Sequence, residues 1–249
     1  MSDYFFLKSK KEFKKETLLK TAKNLDSKFI NKKSKLISFK SKNFNYYFVL
    51  NGIKTNEIYS FKKGIILLFV GNIFNLDKLK NKKNSKVNQI LDGYLYYGIS
   101  FLKKLDGNFT ILILDINNDQ VYTIRDRHGS NILFYYKKND LLLIFTKIRF
   151  LKNFLIKLEP NWDLIKVYLF KNYRYSYATI ETFFKDVFLF KNNSINFFKK
   201  EKLKTSTLFS FVIKNTVVTN IDKIKKNFLE LLSKSFNKRN IDLKKNKPF

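Results

Sequence analysis

Leu105-Asp106-Gly107-Asn108-Phe109, then Leu114-Asp115, then Arg125-Asp126-Arg127-His128-Gly129, then Leu133-Phe134-Tyr135, then Phe145-Thr146-Lys147-Ile148, is the stretch that decides the fold. Between and around these pieces run four short apolar segments: Phe109–Leu114, Val121–Ile124, Ile132–Tyr136 and Leu141–Thr146. Each is rich in β-branched or aromatic residues. Polar turn chemistry separates them: Asp115-Ile116-Asn117-Asn118-Asp119, Arg125–Asn131 and Lys137-Lys138-Asn139-Asp140. The spacing predicts a meander of consecutive antiparallel strands in one sheet. The runs are apolar on both faces, so the sheet should be covered on both sides.

Working outward, Tyr46–Leu50 and Ile65–Val70 read as further buried strands. Val87, Ile90, Leu91, Tyr94 and Leu95 recur at the spacing of one helical face. Ser85 stands where that helix needs an N-cap, and Gly98 where it should end. Leu18, Leu19, Ala22 and Leu25 fit a shorter helix with Thr17 as its cap, and Trp162, Ile165, Tyr168 and Leu169 suggest another. Phe183–Phe198 reads as two strands around Lys191-Asn192-Asn193. Thr219–Asp222 resembles a capping box ahead of a stripe made by Ile221, Ile224, Phe228, Leu231 and Leu232.

Composition bounds the function classes. The 249 residues are 45% hydrophobic and 17% aromatic, enough for a core and inconsistent with wholesale disorder. With no cysteine and one histidine (His128), disulfides, Cys-ligated zinc, a Cys nucleophile and a His-rich metal site are all excluded. The net charge of +30 invites an anionic partner such as nucleic acid or a lipid surface. The lysines, however, are scattered as pairs along the whole chain and travel with abundant Asn, Ile and Phe, all favoured by A/T-rich codons. That pattern favours compositional bias over a nucleic-acid module, which concentrates charge on one element and uses Arg forks. The start, Met1-Ser2-Asp3-Tyr4, has no signal-peptide pattern, and no apolar run approaches the roughly 20 residues of a membrane helix. The expected compartment is the cytoplasm.

The order and spacing of the opening motifs resemble the class II glutamine amidotransferase domain of the asparagine synthetase family. That family writes them L-x-G-x-F-A-F, W-D, R-D-x-x-G-x-x-P-L-Y-Y and F-x-S-E. Gly71-Asn72-Ile73-Phe74-Asn75 resembles its N-G-E-I-Y-N, Thr182–Lys191 its T-x-F-x-x-I-x-x-L-x-P-G strand pair, and Ile221–Arg239 the helix that opens its synthetase half. The likeness covers about residues 65–240. It implies an α+β fold of the N-terminal-nucleophile hydrolase type, an αββα sandwich of two antiparallel sheets. It also implies a division into residues 1–210, the amidotransferase-like domain, and 211–249, a linker and first helix of a synthetase domain that is otherwise missing.

Against that family, the candidate site is depleted. The family's nucleophile is an N-terminal Cys, and Ser2 occupies its place as the candidate catalytic residue. The oxyanion-hole Asn aligns with Val70, which leaves the backbone N–H of Gly71 as the candidate substrate-binding donor. No counterpart of the carboxylate-gripping R-G-P-D segment occurs in residues 26–56, and the Asp that holds the glutamine amino group aligns with Lys86. Arg125 and Asp126 read as a structural ion pair or cap, and His128 as a surface residue. No GxxxxGK[ST], GxGxxG, GxSxG or S-G-G-x-D-S loop is present, so ATP and Mg are expected only in the missing synthetase half. The expected function is a structural or docking half for an ATP-dependent amide-forming synthetase, like the β-lactam synthetases that keep this domain without glutaminase use. An active N-terminal-Ser amidohydrolase and a basic nucleic-acid- or membrane-surface-binding module are the alternatives. The expected partners are a synthetase half or a second copy of the chain.

Overall fold

A computed structural model of the chain describes residues 3–23, 35–51, 59–76, 85–154, 157–171, 179–199, 202–210 and 220–240. Two antiparallel sheets form the body. The first contains β1 (Asp3–Ser9), β2 (Lys35–Lys40), β3 (Asn45–Asn51), β8 (Phe134–Lys138), β9 (Leu141–Phe145) and β10 (Val187–Leu189), in the order β10-β8-β9-β1-β3-β2. The second contains β4 (Tyr59–Lys62), β5 (Ile65–Ile73), β6 (Gly107–Asp115), β7 (Gln120–Arg125), β11 (Ser194–Lys199) and β12 (Lys202–Thr207), in the order β12-β11-β7-β6-β5-β4. Helices α1 (Lys15–Lys23) and α4 (Arg149–Asn153) contribute to the outer layer of the first sheet. Helices α2 (Lys86–Tyr97) and α3 (Ile99–Leu102) lie on the second. The result is the αββα sandwich that the resemblance implies.

The doubly apolar strands follow from that layering. In β1, Tyr4 and Phe6 enter the core between the sheets, while Phe5 and Leu7 join Leu18, Phe150 and Phe154 on the outer face. In β6, Leu112 and Leu114 point between the sheets, while Phe109, Ile111 and Ile113 meet Val87, Ile90 and Leu91 of α2. A strand with two buried faces has no solvent side, so period-2 alternation of polarity is lost. Ser85 caps α2 by accepting the Asn88 N–H at 3.4 Å, and Gly98 ends it at φ 64°.

The meander expectation requires correction. Residues 107–145 do form four antiparallel strands, but β6 and β7 belong to the second sheet and β8 and β9 to the first. The Arg125–Asn131 segment is a crossing between layers, not a hairpin turn. For the same reason the expected strand pair in Phe183–Phe198 is split: β10 pairs with β8, whereas β11 pairs with β7. The first helix starts at Lys15, so Thr17 is its third residue and not its cap; Leu25 lies outside the described residues. The final helix, α6 (Ile221–Asn240), is capped by Asn220, whose Oδ1 accepts the Lys223 N–H at 3.0 Å; Thr219 lies outside the described residues. Helix α5 (Trp162–Lys171) forms where expected but buries only Leu164.

Strands β5 and β6 approach each other unusually closely at one end of the second sheet. Gly71 pairs with Phe109 and Ile73 with Gly107. A Cβ on Gly71 would meet the Asn108 carbonyl oxygen at 2.1 Å, and one on Gly107 would meet the Asn72 oxygen at 2.2 Å. Gly71 also has φ +126°, a conformation side chains resist. Gly71→Ala should therefore cost more than about 2 kcal/mol, combining strain with a backbone collision. Gly98→Ala, at φ 64° and ψ −150° but with nothing within 4 Å of its added Cβ, should carry backbone strain of about 1–3 kcal/mol without a collision, and so lose less than Gly71→Ala. Urea unfolding midpoints will rank them; a smaller loss at Gly71 would contradict the close approach.

Candidate functional site

The first described residue of β1 is Asp3, in register with Asn51 of β3; Ser2 precedes it in sequence and lies outside the described residues. The start of β1 is held by Thr146, which follows β9. The Tyr4 N–H donates to Thr146 Oγ1, and the Thr146 N–H donates to the Tyr4 carbonyl, both at 3.2 Å. Across the sandwich lies the end of β5. Tyr4 and Val70 share the inter-sheet core, Val70 pairs with Thr110, and Thr110 pairs with Arg125. The opening of β1 thus faces the stretch of the second sheet that carries Val70 and Gly71.

Val70 is buried, with its side chain committed to packing in the inter-sheet core. Gly71 beside it is at the close approach described above. Lys86 occupies the first position of α2, directly after the cap, and is exposed. Residues 26–34 and 52–56, part of the region searched for a carboxylate clamp, lie outside the described residues.

Arg125 and Asp126 take structural roles, and they do not clasp each other. The Asp126 carboxylate, fully buried, accepts the backbone N–H groups of Phe109 at 2.9 Å, His128 at 3.0 Å and Ser130 at 3.0 Å. The Arg125 guanidinium donates to three carbonyl oxygens: Asn131 at 3.1 Å, Gly129 at 2.7 Å and Phe190. Burial lowers the Arg125 pKa, and the adjacent Asp126 charge opposes that shift. Gly129 is required in this knot, since its φ is +64° and a Cβ would meet the Arg125 guanidinium at 2.7 Å. His128 is exposed at the tip of the same loop.

Around Arg125 the inter-sheet face of the second sheet turns polar. Register aligns Thr110, Arg125 and Ser194 in one row and Leu112, Thr123 and Asn196 in the next. The Tyr4, Thr110 and Thr123 hydroxyls are buried there without a protein partner among the described residues. Burial pushes the Tyr4 phenol pKa upward, with the Arg125 charge opposing. Sequence reading quoted Thr146 only as part of a motif and gave no role to Tyr4 or to this polar patch. Isolated threonines in apolar strand runs were its only trace. Among the described residues no group of three or more His, Asp or Glu side chains could hold a metal, and no helix is long and apolar enough to cross a membrane.

A family model described as a glutamine amidotransferase domain matches residues 50–209. Amidase chry2 of Gibberella zeae is 37% identical over 87 residues, covering 34% of this chain and 12% of that protein. The Bacillus subtilis protein named asparagine synthetase [glutamine-hydrolyzing] 2 is 32% identical over 92 residues, again 34% of this chain and 12% of that protein. The matched stretch therefore spans about an eighth of each relative. The B. subtilis glutamine phosphoribosylpyrophosphate amidotransferase structure, complexed with ADP and GMP, superposes with a TM-score of 0.52 at 9% identity. It covers 84% of this chain and 50% of that one, a likeness of fold.

The knot can be tested apart from any activity. Asp126→Asn replaces an acceptor of three N–H groups with an amide whose NH2 opposes them, and should cost about 3 kcal/mol. Thr123→Val removes a hydroxyl with no protein partner among the described residues and should change stability by under about 0.5 kcal/mol or raise it. Guanidinium unfolding of both variants checks the contrast; equal losses would show that the knot is not specially stabilising.

Proposed function

The chain belongs to the glutamine amidotransferase domain family, and from that membership we propose that it is an asparagine synthetase-like domain without glutaminase activity of its own, serving as the docking half for an ATP-dependent amide-forming synthetase in the cytoplasm. The observation that carries the docking role is α6. Its apolar face, Ile221, Ile224, Phe228, Leu231, Leu232 and Phe236, is exposed throughout, with Phe228 at 62% and Leu231 at 66%. Side chains of that size at that spacing leave a contiguous apolar surface of the kind that marks a protein interface. In this reading residues 1–210 are the amidotransferase-like body, and residues 211–249 carry the linker and the docking helix. ATP and Mg2+ would be bound by the partner, not by this chain.

Loss of glutaminase chemistry rests on four replacements. Ser2 offers a hydroxyl where the chemistry needs a thiolate. The Val70 side chain packs into the core and has no N–H to donate, and one lost oxyanion donor is worth about 3 kcal/mol of barrier. Lys86 sets a positive charge where the substrate ammonium should be held, and no Arg clamp for the substrate carboxylate is found in residues 26–56. Gly71 retains a backbone N–H as the remaining oxyanion-type donor.

The name of the Gibberella relative, an amidase, supports a second reading. Ser2, activated by its own α-amino group, would hydrolyse simple amides.

Three measurements decide among these. Protein with Met1 removed should release no glutamate from glutamine above a Ser2→Ala control, and mass spectrometry should find no acyl adduct on residue 2 with glutamine or simple amides. Turnover or an adduct lost in Ser2→Ala would promote the amidohydrolase. Phe228→Asp/Leu232→Asp should leave the melting temperature within about 2 °C, because those side chains do not pack on the sandwich, while reducing self-association. A large drop would show that the helix belongs to the body.

A further inference from the structure

At the end of β1 opposite to Asp3 lies a cavity of about 530 Å³, within the size range of small-molecule sites. Turns and strand ends of both sheets converge on it: Ser41–Phe44 between β2 and β3, Asn117–Asp119 between β6 and β7, Asn139–Asp140 between β8 and β9, and the ends of β1 and β11. The six steps along β1 separate it from the Ser2 end by roughly 20 Å, so it is distinct from the amidotransferase site.

Its chemistry is that of an anion site with an apolar wall. Phe44, Leu141, Leu142 and Phe198 supply carbon surface. Lys8, Lys10, Lys137 and Lys199 line it against two aspartates, Asp119 and Asp140, a surplus of two positive charges. The aspartates are already engaged. Asp119, held at φ 53°, accepts Ser41 Oγ at 2.5 Å, the Tyr46 hydroxyl at 2.6 Å and Asn43 Nδ2 at 2.9 Å. Asp140 pairs with Lys10 at 2.9 Å.

Lys8 is the central group. It sits half-buried just after the apolar run Tyr4–Leu7 of β1, its ammonium 4.0 Å from the centre of the Phe44 ring. It donates to the Asp119 carbonyl at 2.8 Å. A lysine ammonium has three protons, so further donor capacity faces the cavity. Burial lowers the Lys8 pKa, and the neighbouring Asp119 charge opposes that shift.

We propose that this cavity binds a small organic carboxylate with an apolar body, the carboxylate taken by Lys8 and the lysine rim and the carbon chain or ring laid against Phe44, Leu142 and Phe198. The inference does not depend on the amidotransferase reading, since none of these groups takes part in it.

Hexanoate is the test ligand, with acetate as an anion lacking the body and hexanol as the body lacking charge. Calorimetric titration should show hexanoate binding at least tenfold more tightly than either. Backbone amide shifts on titration should cluster at residues 41–44, 117–119, 137–142 and 198–199. Lys137→Glu/Lys199→Glu, both at the rim, should weaken hexanoate at least tenfold with an unchanged circular dichroism spectrum. Equal binding of acetate would reduce the site to surface charge, and equal binding of hexanol to a greasy cleft; either overturns the proposal. So would shifts confined to α6 or to the Gly71 end, a result independent of whether the variant folds.

Discussion

Two adjacent buried charges hold the sandwich in register. The chain passes from the second sheet to the first between β7 and β8, and back between β10 and β11. Each crossing strips backbone groups from ladder partners inside the protein, where an unpaired group costs about 1–3 kcal/mol. Arg125 and Asp126 meet these two crossings at once; the third, from β3 to β4, runs through residues outside the described ones. Arg125 collects the carbonyls of the outgoing loop and of Phe190 on the return. Asp126 collects the N–H groups of Phe109, His128 and Ser130 through its carboxylate, and its own carbonyl accepts from Gly129 and Asn193. An isolated buried ion would cost several kcal/mol. These two are tolerable because each makes several charge-assisted bonds and each lies beside the opposite charge. The lamination of the fold, and hence the facing of β1 against Val70 and Gly71, depends on this pair.

That dependence explains what the sequence could and could not disclose. Strands β3, β5, β6, β7 and β9 were legible because apolar runs bounded by turn residues are local signals. Helix α2 was legible because its stripe, its Ser85 cap and its Gly98 terminus agree. Sheet membership was not legible. A loop that turns back in one sheet and a loop that changes sheets both look like polar residues with a glycine, and only the burial of Arg125 and Asp126 separates them. Strands β2, β4 and β12 were missed for another reason: they are the outer or edge strands of their sheets, and β12 (Lys-Leu-Lys-Thr-Ser-Thr) is almost wholly exposed. Edge strands are kept polar and lysine-rich to discourage further pairing, which erases the apolar signature. In the candidate site, the need for a glycine at position 71 could be read, whereas the bonds joining Tyr4 to Thr146 span 142 positions and leave no local trace.

The charge of the chain divides in the same way between local and long-range meaning. Most lysines among the described residues are exposed, in keeping with a compositional origin. Lys8 departs from that pattern because β1 carries it inward, past Phe44, to a carbonyl 111 positions away. Position within the fold, not abundance, turns one lysine of many into a group with binding capacity.

Helix α6 presents the opposite problem, an amphipathic element with its apolar face exposed and few contacts to the body among the described residues. Lys238 pairs with Asp106 and Arg239 lies over Phe74, so its C-terminal end is fastened to the body near β5 and α3. Both contacts are at or near the surface, where such pairs contribute about 0–1 kcal/mol. Its capping by Asn220 adds about 1 kcal/mol. Helices in proteins draw most of their stability from burying an apolar face, and the face of α6 is not buried by the sandwich. Its sequence is amphipathic over the full 20 residues, the pattern of a helix with one face suited to burial. The bare face is therefore the observation on which the proposed docking rests: an amphipathic helix gains most of its stability when a complementary surface covers its apolar side.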